Sequence, residues 1–206
     1  NNLGVVLNDL GEFNDAVKNY ERAIAINPNY AEAYNNLGVT YNKIGCLEEA
    51  AESYKKALTI DEDYADAYYN LGVVLIKLGQ IHQAIDSYKK ALNINPNNAD
   101  THNNLGIAFA ELELLDDAIQ CYHNAIAIQP ELASPYNNLG HTLCKLHRYQ
   151  EAIISYEKAL TIKPNLDYLM GNILNTKMNC CNWDDLGSLI SDVSKKIINN
   201  ENVIEP

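Results

Sequence analysis

Ala31-Glu32-Ala33-Tyr34-Asn35-Asn36-Leu37-Gly38-Val39-Thr40-Tyr41-Asn42-Lys43-Ile44, then Gly45-Cys46, then Leu47-Glu48-Glu49-Ala50-Ala51-Glu52-Ser53-Tyr54-Lys55-Lys56-Ala57-Leu58-Thr59-Ile60, is the stretch whose reading decides the fold. Tyr34, Leu37, Gly38 and Tyr41 recur at helical spacing on one face of the first half. Ala50, Tyr54, Ala57 and Leu58 do the same in the second. The spacing predicts two helices, Ala31 to Ile44 and Leu47 to Ile60, joined at Gly45, where a left-handed residue suits a helix C-terminus.

Shifted by 34 residues, the chain matches itself almost throughout. Leu-Gly stands at Leu3-Gly4, Leu37-Gly38, Leu71-Gly72, Leu105-Gly106 and Leu139-Gly140. An alanine follows each (Ala16, Ala50, Ala84, Ala118, Ala152), then a tyrosine (Tyr20, Tyr54, Tyr88, Tyr122, Tyr156) and a second alanine (Ala23, Ala57, Ala91, Ala125, Ala159). Proline closes four units at Pro28, Pro96, Pro130 and Pro164, and Glu62 takes its place in the second. A period in this range means a solenoid or array. The expected division is five repeats over 1–166 (1–30, 31–64, 65–98, 99–132 and 133–166), a capping helical hairpin over 167–200 and a tail over 201–206. The first repeat starts inside a helix, so the chain reads as a fragment of something longer.

Small residues at the Leu-Gly glycine and at the alanines let two helices approach, with the tyrosine filling the space beside them. Proline cannot continue the second helix and pushes its predecessor out of helical geometry. Gly11, Gly45 and Gly79 mark the turn inside each repeat, and Glu113 and His147 replace that glycine later at a cost of up to ~1 kcal/mol each. The pattern of Leu-Gly, Ala, Tyr, Ala and Pro resembles the tetratricopeptide repeat. The resemblance covers 1–166 and implies an all-α, right-handed superhelical solenoid of helix-turn-helix repeats, with a C-terminal capping pair.

The chain has 206 residues and a formal net charge of −12. That balance opposes a sequence-independent hold on nucleic acid or a polybasic hold on anionic lipid. No apolar run approaches the ~20 residues of a membrane span, and no leader sequence is visible. Cys46, Cys121, Cys144, Cys180 and Cys181 have no disulfide spacing, so they read as reduced thiols in a cytoplasmic protein.

In the family resembled, the residue before each Leu-Gly faces the concave groove. Here that residue is always asparagine: Asn2, Asn36, Asn70, Asn104 and Asn138. Asn1, Asn35, Asn103 and Asn137 precede four of them, and Tyr69 precedes the other. A primary amide pairs with both groups of a peptide bond, so such a ladder suits extended segments of any sequence. The competing reading is that these asparagines solvate the inner face or bond the neighbouring helix. Val5, Val39, Val73 and Ile107, with acids Glu32, Asp66 and Asp100 nearby, do not fit the carboxylate clamp of chaperone-binding repeats.

No phosphate loop, nucleophile elbow or His-Glu-x-x-His motif is present, and no catalytic residue, cofactor or metal site is expected in this segment. His141, Cys144 and His147 share helical spacing, but Cys144 reads better as a small hydrophobe. Lys55-Lys56 and Lys89-Lys90 read as a solvated outer face.

After Pro164, Asp167 to Met178 reads as a first helix with Tyr168, Met170, Ile173 and Leu174 inward. Trp183, Leu186, Leu189, Ile190, Val193 and Ile197 define a second, and the pair reads as the cap that solenoids need. Thr176-Lys177-Met178 and Cys181-Asn182-Trp183-Asp184-Asp185 also resemble the junction between repeats and catalytic half in bacterial SPINDLY-like O-linked N-acetylglucosamine transferases. Asn175 and Asn182 depart from that pattern. The expected function is binding of extended protein segments, as the substrate-recruiting arm of such a transferase. The alternative is a free-standing scaffold for complex assembly or self-association.

Overall fold

The computed structural model describes residues 1–164 and 168–181, together with Gly187, Ile190, Ser191 and Ser194. Among the described residues there are eleven helices and no strand: α1 (Asn2–Asp9), α2 (Phe13–Ile26), α3 (Ala31–Lys43), α4 (Leu47–Ile60), α5 (Ala65–Lys77), α6 (Ile81–Ile94), α7 (Ala99–Glu111), α8 (Leu115–Ile128), α9 (Ala133–Lys145), α10 (Tyr149–Ile162) and α11 (Tyr168–Asn179). Odd-numbered helices are the first helix of each repeat and even-numbered ones the second. The chain divides into two compact units, 1–108 and 109–206, with the division inside α7.

Every expected left-handed turn is found. Gly11, Gly45 and Gly79 have φ of 80°, 84° and 72°, and Glu113 and His147 hold 58° and 59° without glycine's freedom. Cys181 adopts 53° at the next repeat position, so the 34-residue register runs through α11. The turns at Gly11, Gly45, Gly79, Glu113 and His147 are each closed by paired bonds of the Schellman type. In the second repeat, Gly45 N–H donates to the Asn42 carbonyl at 3.2 Å and Cys46 N–H to that of Tyr41 at 2.9 Å.

The second helices end just before the proline positions. Asn27 leaves helical geometry at φ −131°, ψ 93°, as the residue before Pro28 must. Asp61 adopts nearly the same geometry ahead of Glu62, φ −132°, ψ 100°. The Asp61 carboxylate accepts from Asp63 N–H at 3.1 Å, as Asn27 Oδ1 accepts from Asn29 N–H at 3.2 Å beside Pro28, so the same turn forms with and without proline.

In unit 1–108, α2 packs on α1 and α3, and α4 on α3 and α5. The repeat tyrosines are the largest wholly buried side chains. Tyr20, Tyr54 and Tyr88 each lie against the glycine 16 positions earlier: a Cβ on Gly4, Gly38 or Gly72 would come within 2.7, 2.7 or 2.5 Å of the respective ring. In unit 109–206, a Cβ on Gly140 would meet Tyr156 at 2.6 Å.

The tyrosine hydroxyls differ by one residue of their surroundings. Tyr20 hydrogen-bonds Thr40 and Tyr122 hydrogen-bonds Thr142, and burial pushes the Tyr122 hydroxyl up to about 12. Of the two repeats between Thr40 and Thr142, one has Val74 in this place and the other Ala108, and the buried Tyr54 hydroxyl, which would meet Val74, has no partner. A buried hydroxyl without a bond costs about 1–3 kcal/mol. Tyr54→Phe is therefore expected to leave stability unchanged or raise it by about 1 kcal/mol. Tyr20→Phe, losing its Thr40 bond, is expected to lower it by a similar amount, and urea unfolding of the two variants checks the contrast.

The inward face of α11 keeps Ile173, as expected, and otherwise shifts. Leu169, Ile173 and Thr176 are buried, whereas Tyr168, Met170 and Leu174 are only half-buried. Thr176 repeats the role of Thr142: its hydroxyl donates to the Asn172 carbonyl, as Thr142 does to that of Asn138. The register of the preceding repeats, and not the local apolar count, sets the packed face. Of the expected second capping helix, Trp183, Leu186, Leu189, Val193, Ile197 and the tail 201–206 lie outside the described residues, and Ile190 is exposed.

Candidate functional site

The Leu-Gly pair fixes where the asparagines fall. Leu37 and Gly38 are buried, so Asn35 and Asn36, just before them, sit at the margin of the packed face. Asn35 is buried and Asn36 half-buried, and the same holds for Asn103 and Asn104.

Within unit 1–108 the asparagines bond from one repeat to the next. Asn36 Nδ2 donates to Asn1 Oδ1 at 3.1 Å, Asn70 Nδ2 to Asn35 Oδ1 at 3.1 Å, and Asn104 Nδ2 to the Tyr69 hydroxyl at 3.3 Å. Each bond therefore ties the ladder position to the residue before the preceding ladder position, an offset of 35. The competing expectation has these asparagines solvating the inner face or bonding the neighbouring helix. The partner is the neighbouring side chain, and only one amide donor is used. Asn104 Oδ1 also accepts from Asn103 Nδ2 at 3.3 Å. Asn2, in the same register of α1, is exposed. Its neighbour Asn1 donates to Tyr30 at 3.2 Å and to Glu32 at 2.9 Å.

Beside this row lies an open cavity of about 190 Å³, lined by Val73, Ile76, Lys77, Tyr88, Asn104 and Ile107. Lys77 Nζ donates to Asn42 Oδ1 at 2.7 Å. The cavity sets an apolar wall one helical turn from the amide row, room for one aliphatic side chain beside a backbone-pairing group.

Unit 109–206 carries the fifth ladder residue, Asn138, which is half-buried. It also carries a sixth, Asn172 on α11, which the sequence reading missed; its signal was the spacing of 34 from Asn138. By the offset of 35 its partner would be Asn137. Instead Asn172 Nδ2 lies 3.3 Å from His141 Nε2, and the buried Asn137 Oδ1 has no partner. His141 stands where Val39, Val73 and Ile107 stand in unit 1–108, and its ring nitrogen competes for the amide donor. The ring also packs edge-on against Tyr156, centroids 5.3 Å apart.

His141, Cys144 and His147 do not converge. Cys144 Sγ lies 3.4 Å from Thr176 Oγ1, and His147 Nδ1 meets the Tyr149 hydroxyl at 2.7 Å. Among the described residues no group of three His, Cys, Asp or Glu side chains is placed to hold a metal ion. Lys56 pairs with Glu52 at 2.9 Å on the exposed surface, and Lys90 Nζ lies 5.4 Å from the Tyr68 ring centroid. Among the described residues no helix is long and apolar enough to cross a membrane.

Family models described as "TPR repeat" and "Tetratricopeptide repeat" match residues 4–45, 40–79 and 74–113, and residues 97–165. The chain is similar to the crystal structure of MamA at 30% identity and TM-score 0.74, over 78% of this chain and 94% of that one. It is similar to YrrB, described as a TPR protein with an unusual peptide-binding site, at 26% identity and TM-score 0.72, over 86% of this chain and 89% of that one. PilF of Pseudomonas aeruginosa shares the fold at 19% identity and TM-score 0.82, over 94% of this chain and 88% of that one. Among curated proteins none matches the chain significantly.

Proposed function

The chain belongs to the tetratricopeptide repeat family of protein-interaction modules, and from that premise we propose that it binds extended protein segments along an asparagine-lined face. Asn2, Asn36, Asn70 and Asn104 serve unit 1–108, and Asn138 serves unit 109–206. The observation that carries the reading is the geometry of Asn36 and Asn70. Each is half-buried and oriented by one bond to the preceding repeat, which leaves Oδ1 and a second N–H to pair with a peptide. A side chain already held in place loses less rotamer freedom on binding. The similarity to YrrB, whose description names a peptide-binding site, supports the same class of partner. Alanine at Asn36, Asn70 and Asn104 together is expected to weaken binding of unstructured peptides about a hundredfold; unchanged binding overturns the reading.

A finer reading makes this segment the substrate-recruiting arm of a glycosyltransferase-like protein. It rests on the tail motif: Thr176-Lys177-Met178 closes α11 near Cys181, and residues 182–186 of the motif lie outside the described residues. The natural polypeptide, detected in its source cell with an antibody to this segment, is then expected at two or more times 23.0 kDa. A product near that mass removes the transferase reading and leaves the binding one intact.

A further inference from the structure

The ladder is one of three rows of like side chains that cross the first helices of unit 1–108. On α3 an acid, an asparagine and an aliphatic residue stand at Glu32, Asn36 and Val39; on α5 at Asp66, Asn70 and Val73; on α7 at Asp100, Asn104 and Ile107. Steps of four and then three residues keep each set on one helix face. The acid sits about 6 Å along the axis from the amide, and the aliphatic residue about 4.5 Å beyond it. The acids are exposed and the aliphatics half-buried. The acidic row follows the repeat: Glu32, Asp66 and Asp100 stand 34 residues apart at the same place on α3, α5 and α7. The aliphatic row holds the cavity walled by Val73, Ile76 and Ile107, with Lys77 on its far side. In unit 109–206 the set on α9 reads Ser134, Asn138, His141, so acid and aliphatic are both replaced there.

Successive first helices are linked side chain to side chain, which sets them about 10 Å apart. A chain in the polyproline II conformation turns once every three residues and advances about 9.3 Å per turn. It therefore presents the same side of its backbone to each successive helix. A β-strand, alternating sides every residue, loses that phase after one repeat.

Building on the reading of the asparagine row as a backbone-binding ladder, we propose that residues 1–108 select a polyproline-II-like protein segment with an aliphatic side chain at every third position and a basic side chain next to it. The aliphatic side chains enter the row of Val39, Val73 and Ile107, and the basic ones reach Glu32, Asp66 and Asp100. Charge complementarity fixes the orientation, because the opposite order would bring the cation towards Lys77.

The test uses the full chain and three fluorescein-labelled peptides, four copies each of Leu-Lys-Ser, Leu-Ser-Ser and Leu-Glu-Ser, titrated by anisotropy. A fourth peptide has the Leu-Lys-Ser composition with its leucines at alternate positions. Leu-Lys-Ser is expected to bind about tenfold tighter than Leu-Glu-Ser, the scale of three exposed ion pairs, and tighter than the alternating peptide. Combined Glu32→Gln, Asp66→Asn and Asp100→Asn is expected to erase the preference for lysine while leaving the Leu-Ser-Ser affinity unchanged. Equal binding of lysine and glutamate peptides, equal binding of the two leucine spacings, or a preference that survives neutralisation of the acids overturns the proposal. In each of those cases the ladder reading stands if alanine at the three asparagines still weakens binding about a hundredfold. No binding of any peptide overturns both.

Discussion

Gly72→Ala is expected to lower the stability of this protein although alanine is the better helix former. Alanine in place of glycine inside a helix gains about 1 kcal/mol from propensity alone. At this position the new methyl would stand 2.5 Å from Cε1 and 2.7 Å from Cδ1 of Tyr88. Tyr88 is 1% exposed, so its ring cannot swing into solvent, and overpacking of this kind costs about 1–3 kcal/mol. Tyr88→Ala removes the ring and is expected to cost about 3–5 kcal/mol. In that background the methyl meets no ring, and Gly72→Ala is expected to be stabilising by about 1 kcal/mol. The sign of the glycine substitution should thus reverse with the tyrosine, a coupling that urea unfolding of the four proteins measures directly. A stabilising Gly72→Ala with Tyr88 in place would refute the close-approach account of the repeat.

That glycine–tyrosine contact was readable from spacing alone, because both residues recur in every repeat at the same separation. The turn geometry was readable for a related reason: Glu113 and His147 fall where Gly11, Gly45 and Gly79 stand, and repetition carries a backbone conformation across a residue change. On α11 the sequence placed Ile173 inward correctly but added Tyr168, Met170 and Leu174, which look apolar locally, whereas the hairpin preceding it dictates that Leu169 and Thr176 pack beside Ile173. At the site, the asparagine positions were visible but their partners were not. A bond between Asn70 and Asn35 depends on the distance between repeats, which no pattern within one repeat encodes. Nor did the sequence reveal that Val74, standing where Thr40 and Thr142 stand, leaves Tyr54 without a partner.

Those inter-repeat bonds change what alanine at the ladder should do. With amides that only face water, alanine at Asn36, Asn70 and Asn104 would remove peptide binding and scarcely move thermal stability. The structure gives each a neighbour, at Asn1, Asn35 and Tyr69. Each lost bond costs about 0.5–1.5 kcal/mol, and Asn35, 6% exposed, loses its Asn70 donor. Alanine's helix propensity returns part of this. The triple variant is therefore expected to be about 1–3 kcal/mol less stable and to bind peptide about a hundredfold more weakly. Asn35→Ala separates the two effects: it removes the acceptor for Asn70 but keeps the Asn70 amide that a peptide would meet. Stability should fall with Asn35→Ala while binding, measured well below the unfolding midpoint, weakens only by the lost orientation of Asn70 and so by less than with Asn70→Ala. Asn70→Ala should lower both. If the two substitutions weaken binding equally, the asparagines act only by holding the repeats together, and the peptide must be recognised by other groups on that face.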